Sequence, residues 1–234
     1  MELGLLKFCK MTDNILLNTW QTNIPSLANR YQMDNGKSLD LQLKEENINV
    51  NFFTEMIALF DSEEEIPVTQ LKSFDLLVIL DYLEKTHCYY LDKKLMEIEQ
   101  VIFNLEKNIP ENTLLPFLGT FFIWVKENLI FHIKMEEEQL FPYIKSLYYK
   151  TCEVSNFTIQ NFIDSHTDTI ELQISEVKKH IVRAQSSAND IFPFRILLRH
   201  LDDFEKDLRI HATIEDEVLI PLAKLLEEEF NSKS

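Results

Sequence analysis

Two stretches of this chain repeat the same side chains at the same spacing. HIKMEEEQLFP begins at His132 and HATIEDEVLIP begins at His211. In each, an acid stands four residues after the histidine, Glu136 in the first and Glu215 in the second, and a proline closes the match at Pro142 and Pro221. A lone histidine precedes each element by 45 residues, His87 before His132 and His166 before His211. Residues four apart lie on one face of a helix, about 6 Å apart along its axis, so each His/Glu pair can reach the same point beside the helix. The upstream histidine would come from a neighbouring antiparallel helix. The two copies together supply four imidazoles and two carboxylates, too many for one ordinary metal and suited to two. Each ion would take two histidines, with the glutamates bridging between them.

Such groups are costly inside an apolar helix packing unless something satisfies them, and metal coordination does so directly. Mixed nitrogen and oxygen donors without thiolate suit Fe, Mn or Zn. Shared ligands would leave open positions on each ion, which favours reactive chemistry over a purely structural site. One His-x-x-x-Glu is also a common solvated pair; the duplication at equal upstream spacing is what packing alone does not explain. The remaining histidines are read differently. His180 is expected in solvent, and His200 lies eleven residues before His211, about 16 Å along the helix and out of reach of the same ions. Tyr90 is read as a core tyrosine, and Glu137, Glu138, Asp216 and Glu217 as solvated charge off the ligand face.

The elements that must hold these groups are long amphipathic helices. The chain has 234 residues, 45% of them hydrophobic and only three of them glycine, a composition suited to long helices rather than many short strands. Leu76, Leu80, Leu83, His87, Leu91, Ile98 and Val101 fall at helical spacing. So do Ile159, Ile163, His166, Ile170, Val177 and Ile181, and Leu201, Phe204, Leu208, His211, Glu215 and Leu222. With the segment from about 113 to 149, these predict an all-α fold. Four helices form an antiparallel bundle over residues 73–230, preceded by a small helical domain over residues 12–62 with the apolar patches NILLNTW and NVNFFTEMIALF. DSEEEIP reads as the linker. LLPFLGTFFIWVKENLIFHI is interrupted by Lys126 and Glu127 and reads as a core helix rather than a membrane span.

The net charge of −16 argues against nucleic-acid and anionic-membrane partners. Cys9, Cys88 and Cys152 form no disulfide framework, and MELGLLKFCK shows no signal-peptide pattern. The expectation is a cytoplasmic protein.

At its repeated His/Glu motifs the chain resembles the hemerythrin-like (HHE cation-binding) family, and within it the repair-of-iron-centres di-iron proteins. The resemblance spans about 73 to 229. It implies that His87, His132, Glu136, His166, His211 and Glu215 ligate two non-haem iron ions, bridged by the carboxylates and by an oxo or hydroxo group. The set differs from the five histidines, Glu and Asp of oxygen-carrying hemerythrins. YQMDNGKSLDLQLKEENI is similar to the small domain that precedes the bundle in the repair proteins. That domain carries a vicinal Cys-Cys before its glycine, where this chain has Met33-Asp34-Asn35-Gly36. The function implied is a nitrosative and oxidative stress response, in which iron is supplied for iron–sulfur cluster repair or NO or O2 reacts at the site. Iron–sulfur client proteins would be partners, and a homodimer stays open. The alternatives are a non-catalytic O2, NO or redox sensor and a metal-free helical interaction protein; whether the chain is an enzyme is not fixed by its residues.

Overall fold

The computed structural model describes residues 25–34, 38–61, 66–152, 157–165, 170–184 and 192–233. His166, Cys9, the NILLNTW patch, Asn35, Gly36 and all of the AQSSAND break after Ala184 lie outside them, as do most of the DSEEEIP residues. Among the described residues every regular element is helical. The chain divides into two compact units, Met1–Phe74 and Asp75–Ser234.

The first unit contains α1 (Pro25–Arg30), α2 (Leu39–Glu45), α3 (Val50–Asp61) and α4 (Val68–Leu71). The Gln42 side chain closes the turn ahead of α2, accepting from the Asp34 backbone N–H at 2.5 Å and donating to the Asp34 carbonyl at 2.9 Å. Leu27, Leu43, Phe52, Phe53 and Met56 are buried.

The second unit holds longer helices. The first begins at α5 (Leu76–Tyr89), passes through a π-helical turn at Tyr90–Lys94 and continues as α6 (Leu95–Asn108). Asp75 caps it, its side chain accepting from the Leu77 N–H at 2.8 Å. The second runs as α7 (Leu115–Met135), a π-helical turn at Glu136–Leu140 and α8 (Phe141–Tyr148). It stops without glycine: Lys150 takes φ 56° and the Thr151 N–H returns to the Ser146 carbonyl at 2.9 Å. Then come α9 (Ile159–Ser165) and α10 (Ile170–Ala184). The last is α11 (Arg195–Ile214), a π-helical turn at Glu215–Leu219 and α12 (Ile220–Lys233).

Side-chain pairs fix the directions. Tyr148 donates to Asp75 at 2.8 Å, Lys145 pairs with Glu84, and Lys126 pairs with Glu99 at 2.7 Å, so the first two long helices run antiparallel. Lys178 pairs with Asp202 and Glu205, and Lys224 donates to Gln160 at 2.9 Å, which sets α9 and α10 antiparallel to α11 and α12. α6 packs on both α7 and α11, and α10 packs on the same two. Ile98, Phe122, Val125, Ile174, Ile181 and Phe204 fill the space between them.

The buried stripes depart from simple periodicity at positions in or beyond the first and third π-turns. Leu91, Val101 and Leu222 are half-buried, whereas Tyr90, Ile102, Leu105 and Ala223 are buried. A π-turn adds one residue to the helix and so shifts the inward face by one position. The apolar segment around Trp124 forms α7 and buries Leu118, Phe122, Val125 and Leu129. Its far side is not core: Phe117, Ile123, Trp124, Ile130 and Phe131 are exposed. Among the described residues no helix is long and apolar enough to cross a membrane.

Candidate metal centre

Three of the long helices bring their histidines to one point. His87 lies in the last turn of α5, His132 in the last turn of α7 and His211 in the last turn of α11. Glu136 and Glu215 are the first residues of the π-turns that follow the latter two. A π-turn also starts three residues after His87. In each turn the hydrogen bond spans five residues: Leu95 N–H to Tyr90 C=O, Phe141 N–H to Glu136 C=O, and Ile220 N–H to Glu215 C=O. π-turns carry weaker backbone hydrogen bonding and recur at functional sites. Here they are a feature that the spacing of the motifs did not announce.

The five side chains are buried, Glu136 completely. Ligand atoms of His132, Glu136, His211 and Glu215 all lie within 4.8 Å of one another. Glu136 stands between two imidazoles: its Oε1 is 2.8 Å from His132 Nε2 and its Oε2 is 2.9 Å from His87 Nε2. His87 Nε2 is 3.3 Å from His211 Nε2, and His211 Nε2 is 3.9 Å from Glu215 Oε2. Five of the six expected residues therefore meet. His166, the sixth, lies outside the described residues.

The donor set fits a cation. Ligands at about 2.1 Å from one ion stand roughly 3 Å apart when adjacent, close to the separations around Glu136. Two buried carboxylates with oxygens within 4.8 Å repel each other unless positive charge lies near them. Without a metal, protonated imidazoles would have to carry that charge. Burial pushes the His87 pKa down, but the Glu136 and Glu137 carboxylates outweigh it and hold it above the usual histidine value. Burial would raise Glu136, yet hydrogen bonds and charge from His132 and His87 hold it well below the usual carboxylate range. A bound cation would take over the role of those protons.

Glu137 corrects one expectation. It is not simply solvated: its Oε1 accepts from His87 Nδ1 at 2.8 Å. That bond fixes the proton on Nδ1 and leaves Nε2 facing Glu136. The neighbour-by-neighbour reading missed it because the partner sits on another helix, 50 residues away. The other acids behave as expected: Glu138 is exposed beside Lys134 at 3.7 Å, and Asp216 and Glu217 are exposed. Phe141 stacks on His87 with centroids 5.4 Å apart and planes within 4°. Tyr90 is fully buried, sets its ring edge against His211 at 5.8 Å and donates to the buried Asp207 at 2.8 Å. His180 is exposed. His200 is half-buried, its pKa lowered by burial and then by Lys94.

No protein-family model and no curated protein matches this chain.

Proposed function

We propose that this chain is a hemerythrin-like di-iron protein of the nitrosative and oxidative stress response, which supplies iron for repair of iron–sulfur clusters. Its second unit is then an antiparallel four-helix bundle, and His166 joins His87, His132 and His211 as the fourth imidazole. The observation that carries this reading is Glu136, a fully buried carboxylate with each oxygen against a different imidazole. A carboxylate so placed suits a bridge between two ions, and the repeat puts Glu215 in the same role on the other side.

A pair of iron ions held there supplies redox equivalents and open coordination positions for NO or O2. The protein supplies the rest. His87, His132 and His211 present nitrogen donors, and Glu137 holds the His87 tautomer through Nδ1. Phe141 and Tyr90 pack against His87 and His211 and keep water from those rings. Imidazole and carboxylate donors release iron more readily than a thiolate cage, as a donor must.

The test is transfer. The chain is loaded anaerobically with ferrous iron and mixed with an iron–sulfur protein whose cluster has been damaged by NO, with sulfide and thiol present. Recovery of the client's visible absorption, lost when Glu136→Gln and Glu215→Gln are combined, is the expected result. A client that recovers equally with the double variant refutes iron donation. The sensor alternative is favoured by one observation, Met33-Asp34-Asn35-Gly36 in place of the vicinal cysteines. It predicts that NO binds stoichiometrically without turnover and without iron transfer.

A further inference from the structure

α7 carries large, exposed aromatic side chains at seven-residue intervals. Phe117 is 47% exposed, Trp124 46% and Phe131 66%. A repeat of seven keeps these residues in one nearly straight row along the helix. Beside the row, an open apolar groove of about 320 Å³ lies between α7 and α10, lined by Phe117, Phe121, Leu172, Val177 and His180. Leu172 is itself 66% exposed. Large side chains gathered in this way exceed the scattered apolar exposure of an ordinary surface and mark a contact.

We infer that this face joins two copies of the chain, α7 lying antiparallel on its symmetry mate with Trp124 on the two-fold axis. Three observations select a second copy as the occupant. The row reads the same from either end, Phe-Trp-Phe at equal spacing, so an antiparallel mate sets Trp124 against Trp124 and Phe117 against Phe131. A two-fold interface requires such self-complementarity. The only charged residues of α7 between Phe117 and Phe131 are Lys126 and Glu127, and Lys126 is already paired with Glu99 on α6. The size also suffices. Aromatic side chains present about 200 Å² each, so the half-exposed row and Leu172 bring roughly 800 Å² of apolar surface to a pair. With the usual polar share added, that is an interface of about 1,400 Å², inside the range of stable complexes.

The net charge of −16 gives the interface a signature. Two such chains repel at long range, so added salt screens the repulsion and strengthens an apolar contact. A contact built on ion pairs would weaken instead.

The experiment is sedimentation equilibrium of the full chain at low and high salt. The expected result is a mass of two chains, favoured by salt, that falls to one chain in Trp124→Glu, with helical circular dichroism and metal content retained. If Trp124→Glu disturbs folding, Trp124→Cys replaces it. With an added oxidant, this variant should form a disulfide that mass spectrometry maps to position 124 in both chains. A single chain at every concentration and salt overturns the inference. So does a dimer that salt weakens, a dimer that survives Trp124→Glu, or a position 124 that cross-links elsewhere, whether to residues 1–74 or to another protein.

Discussion

At the scale of residues, the site depends on how Glu136 and Glu137, adjacent in sequence, serve different faces of His87. Glu136 meets its Nε2 and Glu137 its Nδ1. Carboxylates that orient a ligating histidine typically change metal affinity by 10–100-fold when removed. Glu137→Ala should therefore weaken metal binding by about that factor, measured by competition with a coloured chelator, while the fold is retained; unchanged affinity would remove Glu137 from the site. The pKa shifts give a second expectation for the metal-free protein. His87 is raised in the folded state, so its contribution to stability is present below its unfolded value near 6.5 and is lost as pH rises through the higher folded value. Glu136 is lowered, so its contribution is present above its unfolded value and is lost as pH falls through the lower folded value. Metal requires deprotonated imidazoles. The rise in melting temperature caused by metal should therefore grow as pH increases through neutrality. A metal-induced rise that shrinks over that range would contradict the coupling. At this scale the sequence was informative: two equally spaced copies pointed to all five of the histidines and glutamates that the structure gathers around Glu136. Glu137 stayed hidden because its role exists only across two helices.

At the scale of elements, the three π-turns do what an unbroken α-helix does not. Each adds a residue close to a member of the His/Glu cluster, starting three residues after His87 and at Glu136 and Glu215 themselves, so the helix re-enters the core with a shifted face. Phe141 opens the segment after the second π-turn, stacks on His87 and is followed inward by Ile144. Deleting Gln139 from that turn would rotate α8 by about 100° relative to α7. Phe141 and Ile144 would leave the core, at a cost of about 3 kcal/mol or more. The expected result is a melting temperature lower by about 10 °C and loss of bound metal; a deletion tolerated without either would mean that the π-turn plays no part in the site. Helix periodicity located the long helices well but carried its stripes straight through these turns. That is why Leu91, Val101 and Leu222 were placed on the inward stripe and Ile102 and Ala223 were not. No residue type marks a π-turn, so the slip of one position was not legible.

At the scale of the whole molecule, the chain divides between Phe74 and Asp75 into two units, and all five described residues of the His/Glu cluster belong to the second. A chain beginning at Asp75 should fold and bind metal in the same amount as the full chain; failure to bind would show that residues 1–74 contribute to the centre. The helical class was legible from three glycines and long apolar stripes. The open side of α7 was not, because an apolar helix in sequence looks alike whether a neighbour covers one side or two.

The central claim, a paired metal site built from the two His/Glu copies, is tested most directly by metal analysis with an optical spectrum. The protein is purified without a His-tag or added metal, then incubated anaerobically with ferrous iron. About two irons per chain, with near-ultraviolet charge-transfer absorption after exposure to air, is the predicted result. A protein that retains no iron after this treatment, and melts at the same temperature with and without it, would contradict the account.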